Sequence, residues 1–365
     1  MSAPASRHLL VRLPALGTTG IGSLPHAELE SALELSLAVD IPYLPQLPNG
    51  ALRAGSEYML AAALEGLPGL SFDALGHCTV DLGEWTAQRA SFESTLEAAL
   101  KSGSLQAFEP STGSCRAWPR FLSEVATRKL PCAKVQIAGP ATTRWITRTS
   151  GGQPLSDIPD LDQQLFRLLL AKSLAMVKAL RQVDCVPLIF LDEPGLSALD
   201  WHDPRHFVVL QELALLVTAL QAEGGLVGLH CCAKADWSRI LGLELDIISL
   251  DVRLSLDALL EVREPLLRFL EAGSTFALGI VPTERGASYQ LPELADSVEL
   301  AFRSTLSGAS EPWLQQVLTR LILTPACGVS SRSIPEAEQI FEEVRQAQLL
   351  LHAALTHEQL PPARA

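Results

Sequence analysis

Eight short apolar segments, each bounded by Gly or Pro, alternate along the chain with longer segments of helical periodicity. This alternation predicts an α/β fold in which parallel strands are joined by helices, and eight repeats predict a closed TIM (β/α)8 barrel, which takes about 250 residues. The predicted strands are Thr18–Ser23, Tyr43–Leu47, Lys134–Ala138, Pro187–Leu191, Leu226–Cys231, Asp246–Leu250, Thr275–Val281 and Leu321–Thr324.

The chain of 365 residues is longer than such a barrel needs. We expect a single barrel domain over residues 1–365, with its core at 17–355 and insertions at 67–114 and 147–160. The first insertion contains GLSFDALGHCTVDLGEW, which predicts a hairpin followed by a helix. The second, TRTSGGQPLSDIPD, is polar, and its composition suits a lid over the barrel mouth and a flexible loop equally well.

The net charge and the cysteine content limit which kinds of partner and which cellular compartment the sequence predicts. The net charge of −13 and only 28 Lys and Arg residues argue against nucleic acid. Charged residues interrupt the amino-terminal apolar run and the apolar helices Leu165–Leu180 and Phe207–Leu220, so the sequence predicts neither a signal peptide nor a membrane partner. Seven cysteines, an odd number, fit a reducing cytoplasm better than a disulfide framework.

A group of soft metal ligands falls at predicted strand ends, where the chemistry of such barrels gathers. Strand five ends in GLHCC, strand six in SLDVR and strand eight in LTPACG. His230, Cys232 and Cys327 suit zinc (Zn²⁺), and Asp251 could add an oxygen ligand. Alternate residues of a strand point the same way, so His230 and Cys232 can share one ion. The alternative is a hydrogen-bonded core histidine among ordinary buried cysteines.

These strand ends resemble the catalytic domain of cobalamin-independent methionine synthase, within a superfamily that includes uroporphyrinogen decarboxylase and corrinoid-dependent methyltransferases. The matching stretches are, in order, TTGIGSLPH, KVQIAGPAT, IFLDEPGLS, GLHCCAKADW, DIISLDV and LTPACGVSSRS, over residues 18–332. The resemblance implies a zinc ion held by His230, Cys232, Cys327 and an acidic residue. The family has glutamate at the last position, whereas this chain has the shorter Asp251.

The resemblance also implies a substrate, homocysteine, which would be converted to methionine. Its binding residues would be the backbone of Ile21, Gly22 and Ser23 together with Asp192, the predicted catalytic residue. A carboxylate at a buried strand end can form a charge-assisted hydrogen bond with an amino group. Capping of a helix or loop is the alternative role for Ser23 and Asp192. Glu57 is a weaker candidate for substrate contact.

The methyl donor is predicted from departures from the family. Members that use methyltetrahydrofolate are about twice as long and carry a histidine in the strand-seven loop, whereas strand seven here ends in GIVPTERG. Methyltetrahydrofolate has a basic nitrogen leaving group that calls for acid assistance, and a methylcorrinoid does not. We therefore expect methylcobalamin or another methylcorrinoid as donor, presented by a corrinoid protein.

The sequence is also compatible with three other functions. The acceptor could be another small thiol, such as a coenzyme M-like compound without an amino group. Tetrapyrrole decarboxylation on the same fold would require several arginines around the substrate carboxylates, and the rim offers Arg253 and Arg285. A metal- or corrinoid-binding role without turnover is a further alternative.

Overall fold

The computed structural model describes residues 5–200 and 202–356. The strands of the described residues are β1 (Leu70–Phe72), β2 (Cys78–Val80), β3 (Cys132–Ala138), β4 (Arg148–Thr149), β5 (Val186–Asp192), β6 (Leu226–Cys231), β7 (Ile247–Asp251), β8 (Thr275–Val281) and β9 (Ile322–Pro325). The centre of the fold is a curled, six-stranded parallel sheet of order β3-β5-β6-β7-β8-β9, accompanied by a small sheet of order β1-β2-β4.

Helices surround the large sheet, and none of those described is long and apolar enough to cross a membrane. Local sequence sets the ends of these helices. For example, the helix Leu82–Ser102 is preceded by its N-cap Asp81, whose side chain accepts from Glu84 N, and is followed by Gly103, whose backbone is in the left-handed region. The α-helices are α1 (Leu29–Leu37), α2 (Met59–Ala63), α3 (Leu82–Ser102), α4 (Trp118–Arg128), α5 (Pro140–Ile146), α6 (Pro159–Gln182), α7 (Pro204–Ala222), α8 (Trp237–Ile240), α9 (Val252–Glu261), α10 (Arg263–Glu271), α11 (Leu291–Thr305), α12 (Glu311–Thr319) and α13 (Ile334–Thr356).

The predicted TIM barrel is confirmed, with one irregular side. Six of the eight predicted strands form the regular parallel ladder. The other two, at residues 18–23 and 43–47, close the ring between β9 and β3 through isolated parallel bridges. The bridges are Thr18 with Leu323, Ser23 with Gln46, and Tyr43 with Lys134.

Proline and glycine explain why these two segments do not form regular strands. Pro42 and Pro45 have no N–H to donate, so the second segment cannot complete a ladder on β3. In the first segment, Gly20 lies against the ring of Tyr43, and a Cβ there would come within 2.3 Å of it. This side of the barrel wall therefore depends on a few separate hydrogen bonds, such as Leu44 N to Lys134 O at 2.8 Å.

The two inserted regions join each other. As expected, β1 and β2 form an antiparallel hairpin, with Leu70 opposite Val80. The second region contributes β4, which pairs in parallel with β2 through Thr79 and Arg148. The sequence predicted the hairpin but gave no sign that it would pair with the other insertion.

Inside the barrel, polarity changes along each strand. Inward-facing residues of β5 run from Leu188 through Phe190 to Asp192, and those of β6 run from Leu226 through Gly228 to His230. Toward the amino ends of the strands, the barrel interior is filled by an apolar cluster that is separate from the main core. Its members are Leu10, Ile41, Cys132, Val186, Leu188, Phe190, Leu226, Ile247, Ala277 and Ile322. Asp192 and His230 thus lie at the carboxyl ends of their strands.

Candidate metal centre

Three of the predicted metal ligands come together at the carboxyl end of the barrel. His230 lies near the end of β6, Cys232 follows that strand, and Cys327 follows β9. Their ligand atoms lie within 4.8 Å of one another, and no other such group of three occurs in the described parts of the chain. Zinc binds nitrogen at about 2.0 Å and thiolate sulfur at about 2.3 Å, so small side-chain adjustments would bring all three atoms onto one ion.

The imidazole of His230 is oriented by a neighbour on β7. Its Nδ1 lies 2.9 Å from the hydroxyl of Ser249, while its buried Nε2 has no hydrogen-bond partner within residues 5–200 and 202–356. With the proton on Nδ1, the ring donates to Ser249 and leaves Nε2 free as a ligand. Metal-binding histidines are commonly oriented in this way, by an acceptor that bonds the ring nitrogen opposite the metal.

The adjacent cysteines of the HCC motif have different environments. The Cys327 thiol lowers the pKa of Cys232, and the same interaction raises the pKa of Cys327 itself. Cys231 instead lies in the main core, where its thiol donates to Ala233 O at 3.4 Å and burial raises its pKa to about 11. Because the thiolate is the ligand form, Cys232 is the better placed of the adjacent pair.

The fourth predicted ligand, Asp251, lies outside the group of three. One of its carboxylate oxygens accepts from the backbone N–H groups of Arg253 at 2.8 Å and Leu254 at 3.3 Å. Asp251 is thereby the N-cap of α9. Its position fits the capping role that aspartate commonly takes at the start of a helix.

The carboxylate of Asp192 has a buried oxygen to which no described residue donates. Asp192 pairs in register with His230 and is only 8% exposed, yet its Oδ1 has no hydrogen-bond partner among the described residues. Burial raises its pKa, while the nearby charges of His230 and Lys134 lower it. Buried acceptors are normally hydrogen-bonded, so an unpartnered oxygen marks a position suited to a ligand donor.

The carboxylate of the next residue, Glu193, is fully hydrogen-bonded, in contrast to that of Asp192. Its carboxylate accepts from Ala141 N, Thr142 N and Thr142 Oγ1 at 2.6–2.9 Å, which joins β5 to the start of α5. Gly139 is required beside it, because a Cβ there would lie 2.3 Å from Glu193 Oε1. Burial raises the pKa of Glu193 to about 7. Glu193 is satisfied by its own fold and holds two rim segments together.

The predicted substrate-binding backbone lies next to the cysteine loop. Ser23 O accepts from Val329 N at 2.9 Å, and a Cβ at Gly328 would lie 2.1 Å from Ser23 Oγ. Gly22 packs against the side chain of Gln136, where a Cβ would lie 2.7 Å from Nε2. The barrel thus places the segment containing Ile21, Gly22 and Ser23 beside the loop that carries Cys327.

Two further features surround this region. The weaker candidate Glu57 is buried, with its carboxylate 3.0 Å from the guanidinium Nε of Arg116. A cavity of about 40 Å³ adjoins Asp192 between the second irregular segment, β3, α2 and α6, and Gln136 and Met176 are among its lining residues. Its size suits a group of a few atoms rather than a large ligand.

Sequence reasoning did not single out Ser249 or the buried Lys134, although both interrupt apolar strands at inward positions. That signal, a polar residue in register with an inward apolar set, was readable from the period-two pattern. It identifies the position but not the partner. The contacts of Ser249 with His230 and of Lys134 with Ile21 depend on how separate strands align.

No family model matches the chain, and no curated protein matches it. Among solved structures, it is similar to a B12-independent methionine synthase from Shewanella sp. W3-18-1 in complex with selenomethionine, with 14% identity, 65% of this chain and 68% of that chain covered, and a TM-score of 0.46.

Two other similar structures have different activities. D-psicose 3-epimerase with D-tagatose from Clostridium cellulolyticum shows 13% identity, 65% and 93% coverage and a TM-score of 0.35. Orotidine 5'-monophosphate decarboxylase from Plasmodium berghei shows 8% identity, with 54% of this chain and 77% of that chain covered and a TM-score of 0.26. Likeness at this level carries no argument about activity.

Proposed function

We propose that this chain is a zinc-dependent methyltransferase that transfers a methyl group from a methylcorrinoid to the thiol of homocysteine, giving methionine. The observation that carries the proposal is the group of His230, Cys232 and Cys327, whose ligand atoms lie within 4.8 Å of one another. The unpartnered oxygen of Asp192 lies at the adjacent strand end.

The residues present fit zinc. His230 offers an unpartnered Nε2, and Cys232 and Cys327 offer two sulfur atoms. Three protein ligands with one position open to another group are typical of catalytic rather than structural zinc. Zinc supplies one chemical effect, which is to lower the pKa of a thiol that binds beside these ligands. Ser249 would orient His230, and Asp251 would stabilise the rim as the cap of α9.

The proposed acceptor is an amino-acid thiol because of Asp192. An ammonium group would donate to the buried Oδ1 of Asp192, a charge-assisted hydrogen bond that offsets the burial of the carboxylate. The backbone around Gly22 would hold the remaining polar end, since this segment lies beside the loop of Cys327. Fixing both ends of the acceptor would orient its sulfur toward the methyl donor.

The reaction balances without an acid from the chain. The acceptor thiol releases its proton to solvent, its sulfur attacks the methyl carbon, and the carbon–sulfur bond forms as the bond between methyl and donor breaks. The donor's bonding electron pair leaves with the corrinoid, which needs no proton. A donor that needs no proton is consistent with the loop after β8, PTERG, which contains no imidazole. The acidic residue of this loop, Glu284, lies 3.8 Å from Arg253.

The proposal is tested by zinc content and zinc X-ray absorption, recorded before and after homocysteine is added. We expect one zinc per chain in the wild type, a new sulfur neighbour with homocysteine, and loss of zinc in Cys327→Ser. Cys231→Ser is the matched control, because Cys231 lies in the core outside the ligand group. Absence of zinc, or zinc indifferent to homocysteine and to Cys327→Ser, would overturn the proposal.

Acceptor and donor are tested separately. Asp192→Asn should abolish homocysteine turnover, whereas unchanged turnover would point to a thiol without an amino group. For the donor, the purified chain is given methylcobalamin or methyltetrahydrofolate with homocysteine. Methionine formed from methyltetrahydrofolate at a comparable rate would contradict the corrinoid assignment.

A further inference from the structure

Lys134 is a lysine in the barrel interior that the proposed chemistry does not use. It lies in β3 and is 1% exposed, with its ammonium 4.8 Å from the ring centre of Phe190. Among the described residues, no carboxylate lies within 4.0 Å of it. Burying a cation is costly even with the charge of Asp192 in its neighbourhood, so packing alone gives no reason for a lysine at this position.

The hydrogen bonds of Lys134 lead to the predicted substrate-binding segment. Its Nζ donates to Ile21 O at 2.6 Å and to Gln136 Oε1 at 3.2 Å. Gln136 Nε2 in turn donates to Leu44 O at 2.9 Å. Lys134 and Gln136 therefore attach both irregular segments, which have only isolated bridges, to the regular strand β3.

The bond to Ile21 also fixes the direction of the next amide. In a trans peptide the carbonyl and the N–H point to opposite sides. With Ile21 O held toward Lys134, the N–H of Gly22 must point away from it, and within the described chain neither Gly22 N–H nor Ser23 N–H donates to an acceptor. Donation from an ammonium to the carbonyl further polarises that N–H.

We propose that Lys134, seated by Gln136, is a positioning residue that presents the Gly22 and Ser23 amides to the acidic end of the acceptor. This role rests on the proposed function, because it assumes that the acceptor binds along this segment. Lys134 acts through the backbone of Ile21 and does not itself touch the acceptor.

The test compares Lys134→Met with Lys172→Met. Lys172 is also buried, but it lies on α6 and pairs with Glu65, so this variant controls for the loss of an internal lysine. The readouts are zinc content, KM and kcat for homocysteine, and amide hydrogen exchange at Thr19, Leu24 and Gln46, which anchor the two irregular segments.

We expect Lys134→Met to retain zinc, to raise KM for homocysteine at least about tenfold with little change in kcat, and to accelerate exchange at the three amides. Lys172→Met should leave exchange at those amides unchanged. Unchanged KM and unchanged exchange in Lys134→Met would overturn the positioning role.

Two outcomes separate this inference from the proposed function. If the wild type does not bind homocysteine, the proposed function fails, while the exchange measurement still decides whether Lys134 orders the segment. If Lys134→Met does not fold, Gln136→Leu replaces it, since this variant removes one acceptor of Lys134 and the link to Leu44. It should change KM and exchange in the same direction by a smaller factor, and no change would contradict the proposal.

Discussion

Two buried aspartates at opposite ends of the barrel, Asp246 and Asp192, differ in how many hydrogen bonds their carboxylates accept. Asp246 precedes β7 at the amino end, has no exposed surface, and accepts from Val227 N at 2.8 Å and Gln221 Nε2 at 3.0 Å. Asp192 ends β5 at the carboxyl end, and its Oδ1 has no hydrogen-bond partner in the described part of the chain. The fold itself supplies donors to Asp246, whereas Asp192 keeps an oxygen to which no described residue donates.

The largest expected difference is between Asp246→Asn and Asp192→Asn. Asn at 246 could keep its carbonyl oxygen toward Val227 N and Gln221 Nε2, but its N–H groups would then face the guanidinium of Arg7, and the buried charge opposite Arg7 would be lost. We therefore expect the free energy of unfolding to fall by about 3 kcal/mol. Asn at 192 should leave stability unchanged or raise it, because it removes a buried charge without a bonded partner. Urea unfolding of both variants measures this, and a similar loss in both would break the contrast between the two ends.

Asp192 also gives a pH dependence. Its pKa is raised in the folded chain, so between the unfolded value and the folded one the folded state holds a proton that the unfolded state has lost. Its contribution to stability is therefore present at low pH and declines as pH rises through the folded pKa. Subtracting the pH profile of Asp192→Asn from that of the wild type should isolate this decline, and identical profiles would count against it.

Thiol reactivity should differ between the ends by roughly two orders of magnitude, because alkylation follows thiolate fraction and access. Cys232 has a lowered pKa and partial exposure. At the amino end, burial raises the pKa of Cys132 to about 11 and that of Cys185 to about 12. Iodoacetamide labelling of metal-free protein at pH 8, followed by peptide mass spectrometry, should modify Cys232 first. Equal labelling of Cys132 would contradict this expectation.

A matched pair of serines probes the orientation of His230. Ser249 bonds the ring of His230, whereas the buried Ser274 donates to Leu245 O at 2.8 Å near the amino end. Ser249→Ala should weaken zinc binding by about 10- to 100-fold, the range typical of residues that hydrogen-bond to a metal ligand, and Ser274→Ala should not. Competition with a chromogenic chelator measures both, and equal affinities would remove Ser249 from the proposed site.

The smallest effect concerns two helix caps. Asp251 caps α9, and Asp81 caps α3 far from the metal ligands in sequence. Replacing either by Ala should cost about 1 kcal/mol of unfolding free energy. We expect Asp251→Ala to keep its zinc, like Asp81→Ala, because Asp251 lies outside the ligand group. Loss of zinc from Asp251→Ala alone would assign it as the fourth ligand.

Much of the barrel was readable from local sequence. Apolar runs at β5, β6 and β8 predicted strands close to those observed, since a fully buried parallel strand must be apolar on both faces. The segments at 18–23 and 43–47 were also predicted as strands, but they are joined only by isolated bridges. The sequence analysis did not predict this irregular pairing, because the effect of the prolines and glycines on the ladder depends on the neighbouring strands.

By itself, the sequence determined which residue types stand at the strand ends: His230, Cys232 and Cys327, with Asp192 on another strand. This follows from periods of two and 3.6 residues, which are local properties of the backbone. The tertiary structure alone decided which of these atoms meet. It brought Cys327 to Cys232, set Asp251 apart as a cap and directed Lys134 to Ile21. Such contacts depend on strand register and side-chain direction across the closed barrel, which no local pattern encodes.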